Sequence, residues 1–224
     1  VSYSTFSLQR DGAILRVIFK NPPVNLMSFK MIGELFQLGG ELVVDAGTRV
    51  VILESADPDF FIAHVDLEDV AAAAKDGAGD GKYPDINALQ SLALSWQGLP
   101  QVTIAKVAGR CRGGGLEFIL GLTMRFATRD AKFCAPEASG GFLACGGGTT
   151  RTLLMAGPAR ALEFLLSCRD FSGEEAERYG LINRALAANE LDAYVDRLAR
   201  AIASRSSAVL AMHRAVVGRV FEPI

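Results

Sequence analysis

Apolar positions recur along this chain with two different periods. Ala13–Phe19 (AILRVIF), Arg49–Leu53 (RVVIL) and Val102–Val107 (VTIAKV) are short, β-branched runs that read as strands. The last two are too apolar for a face open to water, which places them between layers. Between the first two, Met31, Leu35, Leu38, Leu42 and Val43 recur at helical spacing and predict a helix over Ser28–Ala46, interrupted at Gly39-Gly40. A second helix is predicted over Asp85–Leu99, where Ile86, Leu89, Leu92, Leu94 and Trp96 supply apolar positions before Pro100. Strand, helix, strand, helix, strand is an α/β order. From Thr149 onward the pattern turns helical. Pro158 opens one helix, Ser172-Gly-Glu-Glu reads as an N-cap with acidic first-turn residues, and Leu191–Leu198 and Ala208–Val217 predict two more. No repeat of fixed period is present.

Composition narrows what such a chain does. With 224 residues, 50% of them hydrophobic, it has the length for one globular domain with a sizeable core. Its 23 basic and 25 acidic residues leave a formal net charge of -2, so no nucleic-acid partner is expected. Apolar runs fall short of the roughly 18 residues of a membrane span, and no basic stretch precedes a hydrophobic core at the N-terminus. The expectation is a cytoplasmic protein without a membrane partner. Cys111, Cys134, Cys145 and Cys168 form no C-x-x-C pair and are expected to be reduced. Only His64 and His213 are available as imidazole ligands, so no metal site is expected. Val1 stands where Met would, and the natural chain is expected to begin earlier.

Ala71–Pro84 (AAAAKDGAGDGKYP) is small, Gly-rich and charged, and reads as a mobile surface loop. Its G-D-G-K invites a phosphate-loop reading and fails it. Asp76 occupies the position of the required Gly, and Tyr83 stands where Ser or Thr would meet magnesium.

Three stretches depart from core-and-surface patterning. Phe60–Leu67 (FFIAHVDL) is an apolar run that stops at a His and an Asp just after a strand. Gly113-Gly-Gly-Leu-Glu-Phe118 places three glycines between a strand and an apolar helix, where backbone N–H groups are left free to hold an oxyanion or simply make a tight turn. Glu117 falls in the first turn of that helix among Leu116, Phe118, Ile119 and Leu120, and a Glu buried there needs a reason. Ala135-Pro-Glu137, followed by Gly140-Gly141 and Gly146-Gly-Gly148, puts a carboxylate in a turn, where a lone Glu is ordinarily a surface residue. His64 is open to a role as base or to simple exposure. His213, Arg110 and Arg112 read as solvated, and Cys111 as packing.

Taken together, V-A-G-x-x-x-G-G-G-x-E after an I-A-K strand, A-x-F-x-x-P-E, and G-G-G-T-x-R closely resemble the enoyl-CoA hydratase, or crotonase, superfamily. Asn21-Pro-Pro-Val-Asn25 and Gly173–Leu181 (GEEAERYGL) add to the likeness, which runs from about residue 5 to residue 220. The resemblance implies an α/β crotonase-like fold. Repeated ββα turns form two roughly perpendicular sheets over residues 1–165, with a C-terminal helical region over 166–224. It implies an acyl-CoA substrate, a homotrimer or homohexamer, and no cofactor other than the CoA that belongs to the substrate. Hydration of a trans-2-enoyl-CoA is the implied reaction. The thioester oxygen is then held by the N–H groups of Val65 and Gly114, Glu117 activates water and Glu137 protonates Cα. Ala63, His64, Asp66 and Gly113 are the implied neighbours of the CoA moiety. The alternatives are isomerisation, dehydration or decarboxylation on the same oxyanion site, or a non-catalytic binding role. Four features depart from the family pattern: His64 where the first oxyanion loop usually has Gly, Glu68 where many members have Lys, Thr123 in place of a common Asp, and an end at Ile224 short of the last helices expected.

Overall fold

The computed structural model describes residues 2–75 and 86–221. Their elements in chain order are β1 (Phe6–Asp11), β2 (Ile14–Phe19), α1 (Phe29–Val44), β3 (Val50–Ser55), β4 (Phe60–Ile62), α2 (Leu67–Lys75) and α3 (Ala88–Gln97). There follow β5 (Val102–Val107), β6 (Arg110–Arg112), α4 (Gly114–Ile119), β7 (Met124–Thr128), β8 (Lys132–Cys134) and a 3-10 turn at Glu137–Gly140. The C-terminal part comprises α5 (Gly148–Ala156), α6 (Pro158–Ser167), β9 (Phe171–Ser172), α7 (Gly173–Arg178), β10 (Arg184–Leu186), α8 (Ala188–Ala203) and α9 (Ser207–Phe221).

Two sheets result, ordered β1-β2-β3-β5-β7-β10 and β4-β6-β8-β9. A β1–β2 hairpin opens the large sheet, whose remaining pairings are parallel. Three times the chain leaves a strand of the large sheet and enters one of the small sheet: β3 to β4, β5 to β6 and β7 to β8. Because β4, β6 and β8 are neighbours and parallel, their C-terminal ends lie side by side, with Ile62 opposite Cys111 and Arg112 opposite Cys134. The stretches that follow them, 63–66, 113–115 and 135–137, therefore leave one edge together. The C-terminal ends of adjacent parallel strands are where α/β proteins commonly bind ligands.

Both faces of the large sheet are covered, which explains its apolar strands. Val51 and Leu53 of β3 face a core built with α1 and α3, whereas Val50 and Ile52 pack under Leu191, Val195 and Ala199 of α8. α8 is also clamped through charge. Arg16 lies between Glu54 and Asp196, and Lys106 joins Glu54 to Asp192.

The structure departs from the sequence expectations in four places. α1 runs through Gly39-Gly40 without a break, because Gly39 is where the fully buried Trp96 ring crosses the helix. A Cβ at Gly39 would sit 3.3 Å from Trp96 Nε1, which itself donates to Leu35 O at 3.1 Å. α3 starts at Ala88, later than the expected Asp85, once Asn87 accepts the Gln90 N–H and caps it. Residues Ala71–Lys75, read as loop, complete α2, in keeping with the helix propensity of four consecutive alanines. The rest of that stretch, 76–84, lies outside the described residues. The C-terminal region is not helical throughout. β9 pairs with β8 and β10 with β7, and strands of two and three residues are too short to show a period. Ser172 does cap α7, in a capping box with Glu175. Among the described residues, no helix is long and apolar enough to cross a membrane.

The two adjacent glycines of α1 are expected to respond oppositely to substitution. Gly40 is exposed with nothing near its missing Cβ, so Gly40→Ala should stabilise by about 0.5–1 kcal/mol in urea unfolding. Gly39→Val should destabilise by roughly 1–3 kcal/mol through overpacking against Trp96. Equal shifts at both positions would refute the packing account.

Candidate active site

The end of β4 is held from the N-terminal segment. Asn25, 2% exposed and at φ +52, donates to Ser55 Oγ at 2.8 Å and Phe60 O at 3.1 Å, while its Oδ1 accepts the Asn21 N–H at 2.7 Å. Two residues on, Met27 forms a parallel bridge with Val65, donating to His64 O at 2.9 Å and accepting from Asp66 N at 3.1 Å. Those bonds use the groups flanking Val65 and leave its N–H without an acceptor among the described residues.

From β6 the chain turns at Gly113, at φ +50, whose N–H donates to Cys134 O at 3.0 Å. α4 begins one residue later against the β4 loop. A Cβ on Gly114 would overlap Val65 Cγ2 and approach Leu89 Cδ2 to 2.9 Å, and one on Gly115 would meet Ile62 Cγ2 at 2.5 Å. Glycine is thus required here by close approach. Val65 and Gly114 are brought into contact, and the Gly114 N–H likewise has no acceptor among the described residues.

One turn into α4, Glu117 is 5% exposed. Its Oε2 accepts the Gly148 N–H at 2.8 Å, and Gly146 of the same turn lies close to the carboxyl carbon, 3.1 Å from where a Gly146 Cβ would be. Glycine again makes the shell possible, since a Cβ on Gly148 would lie 2.8 Å from that oxygen. Burial pushes the Glu117 pKa up to about 7, and the charge of Glu137 adds to the rise, while the N–H groups of Gly148 and Gly146 and the charge of Arg151 oppose it.

Glu137 enters from β8 through the 3-10 turn. The residue is half-buried rather than a surface carboxylate, and burial raises its pKa. Its Oε1 lies 3.1 Å from where a Gly113 Cβ would be, and its Oε2 is enclosed with no hydrogen-bond partner among the described residues. An enclosed carboxyl oxygen without a partner is costly unless something polar meets it. Glu117 and Glu137 are thus near enough for the charge of Glu137 to act on Glu117, one held by the glycine turn and the other against Gly113.

The remaining candidates take varied positions. Ala63 is buried at the end of β4, and His64 is exposed on the rim with its Cβ 3.6 Å from the position of a Gly113 Cβ. Asp66 accepts the Glu68 N–H at 3.0 Å and so caps α2. Arg110 is exposed over the Phe60 ring, and Arg112 is turned onto Asp170, with Nε to Oδ1 at 2.8 Å, so it is paired rather than solvated. Cys111 is fully buried, and His213 is exposed. Glu68 is exposed, and Thr123 bonds Thr103 and accepts from Arg214 of α9. No group of three His, Cys, Asp or Glu among the described residues is placed to hold a metal. The sequence reading met Arg151 only as the end of the G-G-G-T-x-R motif and gave neither it nor Asn25 a role of its own. An Arg three residues after the glycine run was the available signal for the first, and a buried Asn at positive φ has none.

Comparison with known proteins gives one consistent match. The family described as Enoyl-CoA hydratase/isomerase matches residues 9–223. A carnitinyl-CoA dehydratase of Proteus mirabilis is 30% identical over 210 residues, covering 91% of this chain and 76% of that protein. A probable enoyl-CoA hydratase of Mycobacterium leprae is 29% identical over 217 residues, covering 96% and 80%. Among solved structures, one from Streptomyces avermitilis, whose enoyl-CoA hydratase name is provisional, is 38% identical with a TM-score of 0.89, over 96% of this chain and 80% of that one.

The buried carboxyl makes a pH-dependent contribution to stability. Folding raises the Glu117 pKa from 4.5 to about 7, so the folded state retains a proton that the unfolded chain releases. Stability on this account is full below the unfolded value and declines as pH rises through about 7. Glu117→Gln abolishes that decline. Relative to wild type, the variant should gain on the order of 3 kcal/mol between about pH 5 and pH 8 in urea unfolding. Parallel stability curves would contradict the burial assignment.

Proposed function

This chain belongs to the enoyl-CoA hydratase/isomerase family of acyl-CoA enzymes, and on that premise we propose that it adds water across the 2,3 double bond of a trans-2-enoyl-CoA. The observation that carries the proposal is the convergence of Glu117 and Glu137 beside the unoccupied N–H groups of Val65 and Gly114. Hydration needs a base for water and an acid for Cα, and one carboxylate cannot readily serve as both at once. Ionised Glu117 takes a proton from water as the oxygen attacks Cβ. The double-bond electrons move onto the thioester oxygen, where the two amides meet the growing charge. Such donors favour the enolate-like transition state over the ground state, each by roughly 3–4 kcal/mol. Protonated Glu137 then delivers its proton to Cα as the enolate collapses.

Burial raises the proton affinity of both carboxyls, that of Glu117 to about 7, which suits acid–base chemistry near neutral pH. Ala63, His64, Asp66 and Gly113 are assigned to the path of the CoA moiety, with His64 on the rim. A homotrimer or homohexamer is inferred, and the exposed Leu154, Leu162 and Leu166 of α5 and α6 offer it an apolar surface. Dehydration of a 3-hydroxyacyl-CoA is the second reading, favoured by the carnitinyl-CoA dehydratase relative. It runs the same two-carboxylate chemistry in reverse.

Hydration of crotonyl-CoA and longer enoyl-CoAs tests the proposal. Glu117→Gln and Glu137→Gln should each lower kcat by about 10²–10⁴-fold. Wild-type turnover in both variants would remove the assignment. Product mass separates the readings, because hydration adds one water, dehydration removes one and isomerisation changes nothing.

A further inference from the structure

The glycine turn that holds Glu117 is itself held by one side chain. Arg151, half-buried on α5, donates from Nη1 to Gly146 O at 3.3 Å and from Nη2 to Gln97 Oε1 at 3.2 Å. Its guanidinium covers Gly147, at φ +100, so closely that a Cβ there would overlap Nη1. Gly148, on one side, donates its N–H to Glu117 Oε2 at 2.8 Å, and on the other side the Gly146 N–H lowers the proton affinity of the same carboxyl. Gln97, at the end of α3, also accepts Arg214 of α9 at its backbone oxygen, at 2.6 Å. The turn is thus pinned to the end of α3 and, through it, to the last helix.

We propose that Arg151 is a positioning residue for Glu117, fixing the Gly146–Gly148 turn on that carboxylate and setting a cation behind it. The proposal rests on the reading that Glu117 activates water. The charged and titratable groups that face Glu117 among the described residues are Glu137 from the 3-10 turn, Cys145 from the following loop and Arg151 from α5. Arg151 is the one cation of the three, and its charge lowers the proton affinity of Glu117 where Glu137 raises it. Without it, Glu117 holds its proton to higher pH and is less often ionised to accept one from water. Lysine keeps the charge but lacks the planar fork that spans Gly146 O and Gln97 Oε1.

The test compares Arg151→Gln and Arg151→Lys with wild type by two measurements. One is the pH profile of crotonyl-CoA hydration, and the other is the titration of the Glu117 carboxyl by carbon NMR, assigned with Glu117→Gln. Arg151→Gln is expected to lower kcat at neutral pH about tenfold, with KM within about twofold, and to move both the low-pH limb and the Glu117 midpoint upward. Arg151→Lys should restore the midpoint while recovering kcat only in part. In a Glu117→Gln background, Arg151→Gln should cost no further rate. An unmoved midpoint and limb in Arg151→Gln would overturn the proposal, as would a raised KM at unchanged kcat, which marks a substrate-binding group. The NMR titration needs no substrate, so a shifted midpoint in a protein that hydrates nothing would sink the function while sparing the role of Arg151. Should Arg151→Gln fail to fold, Gln97→Leu frees the guanidinium without changing charge and is expected to lower kcat at unchanged KM. A wild-type kcat there would count against the proposal.

Discussion

A carboxylate enclosed in an apolar interior is the constraint on which the rest of this site depends. Glu117 is tolerated at 5% exposure because two backbone N–H groups from the Gly146–Gly148 turn reach it, and they reach it because glycine leaves room. Any side chain at 148 would press on the carboxyl oxygen. The same economy of volume recurs at Gly114 and Gly115, where α4 is laid directly against Val65 and Ile62. Glycine therefore does two things here: it brings the amides near Val65 together, and it clears a shell around an acid that would otherwise be excluded by its own desolvation.

Topology turns these local arrangements into a site. Each of three strands of the large sheet hands the chain to a short strand of the small sheet, and those three are parallel neighbours. Their ends release the Val65 loop, the Gly113–Gly115 turn and the Glu137 turn along one edge. Val65 and Gly114, 49 positions apart along the chain, thereby become neighbours. The Asn25 side chain and the Met27 bridge then fix the outermost of the three, so the segment between β2 and α1 also has a part in the placement of the Val65 amide.

Stability and chemistry pull in opposite directions at Glu117. The burial that raises its proton affinity to about 7 also makes its ionised form a burden on the folded state at higher pH. Arg151 and the two glycine amides offset part of that burden. The two carboxyls differ in their surroundings and not in residue type, so any difference in their proton affinities comes from how each is enclosed.

The elements with strong periodicity were legible from the chain alone. Buried strands at Val50–Leu53 and Val102–Val107, the long helix α1, the proline-opened α6 and the Ser172 cap all follow from local preference and apolar spacing, properties that neighbouring residues already carry. The glycine runs and the two glutamates were visible as motifs, and their family likeness pointed to an α/β fold of two sheets. What the chain alone misread were features set by distant partners. Gly39-Gly40 looked like a helix break until Trp96, far along the chain, was seen to need the gap. Strands β9 and β10 exist only because β8 and β7 offer them edges. Glu137 looked like a surface acid, and its enclosure, like the reach of Arg151 to Gly146 and Gln97, is decided by elements that meet only in the folded state. Local sequence determines which conformation a segment prefers; burial, charge and proton affinity depend on what packs against it from elsewhere, and only the tertiary structure supplies that.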